Sequence, residues 1–275
     1  MAIASILVHV GLDQTSDPRI QLAVDLADGF NATLIGIAGW AKILPVVTPN
    51  GTIIDGKMAE RYYEEIIARL VQREKQFRVL AGRARKPVEW RSAAELPTDF
   101  IAREARAGDL LIIGQELGPR DLRRTVDPAG LLLRAGRPVL VVPDNATFLR
   151  AKRIAIAWKD TREARRAIQD SLPFLLEAEA IYVIGVCEEG TEEETQKQIA
   201  DVRQYLVRHR ITTATGVVLR VNEDTTRALM RVVRNENIDL IVAGAYGHSR
   251  FGEWAFGGVT RDLLRTCPIC CLLSH

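Results

Sequence analysis

The chain has 275 residues, enough for two modest α/β domains, each with a core of its own. Hydrophobic residues at 47% and charged residues at 26% give an ordinary globular balance. A formal net charge of +2 argues against a polyelectrolyte that binds nucleic acid, and aromatics at 6% argue against a base-stacking surface.

The first predicted element is the apolar run in MAIASILVHVGLD, which no basic stretch precedes. It reads as a buried strand rather than a signal peptide, and no stretch approaches the ~18 apolar residues of a membrane span. A helix follows over DPRIQLAVDLADGF, then a strand over TLIGIAG (33–39). The Pro- and Gly-rich piece at 39–56 is expected to be a loop or short hairpin over the edge or mouth of the sheet. A long charged helix around 57–83 leads to the short strand KPVEW, the helix PTDFIAREARAG and the strand GDLLIIGQ (108–115). A further helix and the strand PVLVVP (138–143) close this half.

The same order then recurs. A second start, KRIAIAWKD, at 152–160 is followed by the helix TREARRAIQDSLPFLLEA and the strand AIYVIGV (180–186). Next come a helix around 192–209, the strand ATGVVL, the helix EDTTRALMRVVRNEN, the strand IDLIVAGA (238–245), a helix and the strand PICCLL (268–273). Strand and helix alternate, and the strands are continuously apolar, which predicts two tandem doubly wound α/β domains, each with five parallel strands. The boundary falls in VVPDNATFLRAKR, giving domains of 1–147 and 148–275.

Ligands of such sheets bind at the C-terminal strand ends, where strand order reverses. The segment AGAYGHSRFGEWAFGGVT (243–260) occupies that position in the second half, with the spacing Gly244-x2-Gly247-x9-Gly257-Gly258. Glycines permit close backbone approach, and the unpaired N–H groups of a following helix suit a phosphate. His248 and Arg250 add positive charge to the segment, while Trp254 and Phe256 are expected to pack it onto the domain.

This G-x2-G-x9-G spacing, with VGLD after the first strand and GRPVLVVP and CPICCLLSH as terminal strands, resembles the universal stress protein family in a tandem form. The resemblance implies the adenine-nucleotide α-hydrolase-like fold, with strand order 3-2-1-4-5, and ATP, with or without Mg, as ligand. Carried over by position, it implies that Gly244, Gly247, Gly257, Gly258 and Val259 face ribose and phosphates and that Val186 lies beside the base. Ala157 and Trp158 stand where the first strand of the repeat ends. Two positions depart from the family pattern. Lys159 replaces the aspartate after that strand, and Gly258 replaces a Ser or Thr, for which Thr260 is a nearby substitute. By resemblance, the terminal strands PVLVV and ICCLL pair within the chain as a pseudo-dimer, which would also hide two sheet edges. A homodimer through other surfaces is a further expectation.

The first half is the reverse case. It has Asp13 after its first strand, but GQELGPRDLRRTVDPAG carries Gly114, Gly118 and Gly130 at other spacings. Asp127-Pro128 at the helix start would repel an anion and offers one N–H fewer. We expect this half, with its degenerate loop, to be nucleotide-incompetent or to hold a different ligand.

Elsewhere the pattern favours structure over chemistry. Cys270 and Cys271 lie in the last predicted strand and Cys267 directly before it, and with Cys187 they form no disulfide framework, which suits a reducing cytoplasm. CPIC lacks a second C-x2-C, His275 and Cys187 being the convenient additional ligands, so no structural metal is expected. Arg162, Arg165 and Arg166 read as a solvated helix face, and His9 and His209 as a strand and a helix-surface residue. No nucleophile–base set emerges, so any ATP hydrolysis should be slow. The expectation is a cytoplasmic, regulatory stress-response protein that binds an adenine nucleotide in its second domain. The alternatives are a binding module for a lipid-like or metabolite ligand, or a weak ATP hydrolase.

Overall fold

The computed structural model describes residues 2–12, 14–42, 46–47, 53–54, 56–115, 121–144, 146–187, 189–220, 224–247 and 258–275. The N-terminal half runs β1 (Ser5–His9), α1 (Asp17–Phe30), β2 (Thr33–Gly39), β3 (Val46–Val47), β4 (Ile53–Ile54), α2 (Gly56–Leu80), β5 (Glu89–Ala93), α3 (Pro97–Glu104), β6 (Leu110–Gly114), α4 (Pro128–Ala135) and β7 (Val139–Val142). The C-terminal half runs β8 (Arg153–Trp158), α5 (Arg162–Leu175), β9 (Ala180–Cys187), α6 (Glu192–Arg208), β10 (Ala214–Arg220), α7 (Thr225–Asn235), β11 (Leu240–Gly244), α8 (Gly258–Thr266) and β12 (Cys270–Ser274). Within 39–56, β3 and β4 form a two-residue antiparallel ladder, Val46 opposite Ile54.

Local chemistry sets the helix limits. A proline in the first turn of α1 suits its start, where an N–H would be unpaired anyway. Asn31 then stops the helix in the left-handed conformation at φ 52°. Thr161 caps α5, its side-chain oxygen accepting from the Ala164 N–H at 3.2 Å.

The ten long strands form one sheet in the order β10-β9-β8-β11-β12-β7-β6-β1-β2-β5. Within each half this is the 3-2-1-4-5 order of a doubly wound sheet, all parallel. The halves meet where β12 pairs antiparallel with β7, Leu272 opposite Leu140. That pairing leaves each of these strands with a partner on both sides, so neither presents a free edge. The ends of α1 and α5 also meet, Phe30 and Phe174 packing edge to face at 5.0 Å.

Side chains alternate across the sheet, and each face has its own core. Ile6, Val8, Ile154 and Ile156 face α1, α2, α5 and α6. Leu7, Ala155, Ile241 and Leu273 face α3, α4, α7 and α8. No helix among the described residues is long and apolar enough to cross a membrane.

Candidate functional site

Strand alternation sorts the predicted site residues at the end of β8. Ala157 lies on the α7–α8 face, half-buried with the cluster there. Trp158, one residue on, turns to the opposite face and packs under α5 and α6. It is 9% exposed, and its indole Nε1 has no hydrogen-bond partner among the described residues. Consecutive strand residues cannot both face one cleft, so Trp158 is set apart from Ala157. Val186, near the end of β9, is half-buried two residues beyond Ile184, which belongs to the α7–α8 face. Lys159 follows β8 directly and is exposed, its carbonyl accepting from the Thr161 N–H at 2.7 Å.

The glycines after β11 are shaped by the start of α5. A Cβ on Gly244 would lie 2.4 Å from the Ala164 nitrogen, so only glycine lets the helix N-terminus come so close to the strand. Tyr246 then takes a left-handed φ of 60°, turning the chain back. At Gly247 a Cβ would meet the Glu163 carboxylate oxygen Oε2 at 2.7 Å and the Thr161 hydroxyl at 3.1 Å. The Glu163 side chain is only 2% exposed. Its Oε1 accepts from Arg162 Nε, whereas Oε2 has no partner among the described residues. Burial pushes the Glu163 carboxyl up, but hydrogen bonds from Arg162 and from its own N–H, the Arg162 charge and the Thr161 hydroxyl outweigh it and hold the group below its ordinary value.

The next described element, α8, starts at Gly258, which is exposed and has open space around its missing Cβ. Val259 is half-buried against the α7–α8 face, and Thr260 is buried in the first turn. His248, Arg250, Trp254, Phe256 and Gly257 lie outside the described residues. Among the predicted residues, the structure brings Ala157, Val186 and Val259 to the α7–α8 face at the strand ends, whereas Gly244 and Gly247 present their Cβ positions to the start of α5 on the other face.

Sheet register identifies the counterparts in the N-terminal half. Val8 is opposite Gly36 and Ile112, as Ile156 is opposite Val183 and Val242. His9 thus matches Ala157, Gly39 matches Val186, Gly114 matches Gly244, and Gly11 matches Lys159. The strand stops at His9, and Asp13 is four residues past its end and outside the described residues.

These counterpart positions are filled from within. His9 is buried, and burial, followed by the Arg19 and Arg73 charges, pushes its pKa down to about 3. Arg19 donates from Nε to the His9 carbonyl at 3.2 Å and lies where a Gly114 side chain would go. Arg73, 2% exposed, donates to the Gly11 carbonyl at 2.8 Å and pairs with Asp17. The absent side chain of Gly39 lets α3 descend, with the Pro97 Cα 2.9 Å from the ideal Cβ position. Trp40 is buried, donates to the Tyr62 hydroxyl at 3.1 Å, and has the Arg69 and Arg124 guanidinium groups 5.2 and 4.7 Å from its ring centroid. Asp127 sits at the N-cap of α4, so that helix carries its own carboxylate where an anion would bind.

A family model, described as the universal stress protein family, matches residues 151–275. Residues 151–275 are thus a universal stress protein family domain. A universal stress protein from Archaeoglobus fulgidus DSM 4304 superposes with a TM-score of 0.69 at 14% identity, over 98% of this chain and 95% of that one. A functionally unknown protein from Pseudomonas aeruginosa PAO1 gives 0.57 at 16%, over 99% and 92%. A candidate universal stress protein from Pseudomonas aeruginosa UCBPP-PA14 gives 0.58 at 16%, over 99% and 93%. These likenesses extend the universal stress protein fold over both halves. None of the curated proteins matches the chain.

Sequence reasoning missed Glu163, Trp40, Arg19 and Arg73. Glu163 had one visible signal, its place two residues after the capping Thr161. Arg19 and Arg73 look like ordinary helix-surface charges until the fold buries them.

Proposed function

We infer that the C-terminal universal stress protein domain binds an adenine nucleotide, ATP with Mg being the expected form, and acts by occupancy rather than turnover. One contrast carries this reading. The strand ends of the C-terminal half present half-buried Ala157, Val186, Gly244 and Gly247, whereas the N-terminal counterparts are closed by His9, Arg19, Trp40 and the descent of α3. Small residues at strand ends beside a helix N-terminus suit a nucleotide, and the family match over 151–275 supports the same ligand class.

In this reading Ala157, Lys159 and Val186 flank the base. Gly244 and Gly247 lie under the ribose, while His248, Arg250, Gly257, Gly258, Val259 and Thr260 face the phosphates. No group of three or more metal-ligating side chains occurs among the described residues, so Mg would arrive with the phosphates. Binding would change the surface offered to partner proteins in the cytoplasm. The N-terminal half would contribute the pseudo-dimer partner, with homodimers forming through other surfaces.

Calorimetric titration with ATP and Mg tests the reading. Saturable binding is expected for the native chain, with loss in Gly247→Asp, whose side chain would enter the space of the Glu163 carboxylate. No heat from the native chain at high protein concentration would contradict it.

A further inference from the structure

Glu163 is a buried carboxylate whose Oε2 has no partner among the described residues, at the point where the glycine segment begins. Its side chain is 2% exposed, and Arg162 takes Oε1. Oε2 is buried without a partner among the described residues and faces Gly247 on the side where a Cβ would be. The carboxyl is held ionised by Arg162, its own N–H and Thr161, so Oε2 can only accept hydrogen bonds. A buried acceptor left unpaired is costly, and an ionised one more so. Phosphate oxygens offer no donor and carry the same charge, so the space beside Glu163 and Gly247 disfavours them. Hydroxyl groups meet the requirement.

Resting on the nucleotide reading above, the geometry points to Glu163 Oε2 as the acceptor for the ligand's ribose hydroxyls. This assigns a polarity to the site. The sugar lies over Gly247 and the start of α5, and the phosphates lie toward the start of α8, away from the carboxylate. It also makes Glu163 a specificity residue, because a sugar without these hydroxyls leaves Oε2 without a hydrogen bond. A hydrogen bond to a charged acceptor corresponds to roughly ten- to hundred-fold in affinity.

The test compares ATP with 2′,3′-dideoxy-ATP, both with Mg, on the native chain, Glu163→Ala and Glu163→Gln, with thermal melts to establish folding. The native chain should bind ATP about ten-fold or more tightly than the dideoxy analogue. Glu163→Ala should reduce that preference to near unity, chiefly by weakening ATP. Glu163→Gln, which keeps a carbonyl acceptor without the charge, should retain an intermediate preference and stands in if the alanine variant does not fold. Equal binding of the two nucleotides by the native chain would overturn the role of Glu163 while leaving the nucleotide site standing. A full hydroxyl preference in both variants would do the same. Binding of neither nucleotide by the native chain would overturn the nucleotide reading and this inference together.

Discussion

At the scale of single residues, the buried titratable groups give the clearest consequences. His9 has a pKa of about 3 in the fold against an ordinary 6.5, with burial the main cause and Arg19 and Arg73 next. The unfolded chain therefore binds a proton that the native chain refuses between those values. The neutral side chain contributes its full stability above pH 6.5, and the contribution is lost as pH falls toward 3. The slope is at most one proton, about 1.4 kcal/mol per pH unit. Urea unfolding of the native chain and His9→Asn at several pH values should show the native stability falling more steeply with acid; parallel curves would refute the burial argument. None of this was legible in the sequence, where His9 is one polar residue in an apolar strand. Its environment comes from Arg19 and Arg73, 10 and 64 positions along the chain, which the fold carries to the same strand end.

At the scale of elements, the helices were legible and the faces of the strands were not. The span of α1 follows from a proline in its first turn and Asn31 after its last, both visible in sequence. The strand expected over KPVEW is observed further on, at Glu89–Ala93, because β5 takes its register from β2, Ile35 opposite Glu89. Sequence position puts Trp158 and Ala157 together at a strand end, yet the pleat sends them to opposite sides. The glycines show the same limit. Sequence spacing marked Gly244 and Gly258 alike, but Gly244 is pinned against α5 and Gly258 stands in open space. Gly244→Ala should therefore cost about 1–3 kcal/mol by forcing α5 away from β11, while Gly258→Ala should be neutral or mildly stabilising. Chemical denaturation of both variants checks this, and equal effects would contradict the close approach of helix and strand.

At the scale of the whole molecule, the repeat was readable because strand–helix alternation survives in both halves even where the loops have diverged. What could not be read was how the N-terminal half closes its own mouth. Trp40 needs Tyr62 from α2, Arg69 from the same helix and Arg124 from before α4, and no local pattern joins these positions. The fold thus holds two related sheets in one, with small, half-buried residues at the described strand ends of one half and large buried side chains at those of the other. The number of nucleotides bound per chain tests that asymmetry most directly. Native mass spectrometry of the chain saturated with ATP and Mg should show one nucleotide per chain; two per chain, or none, would contradict the account.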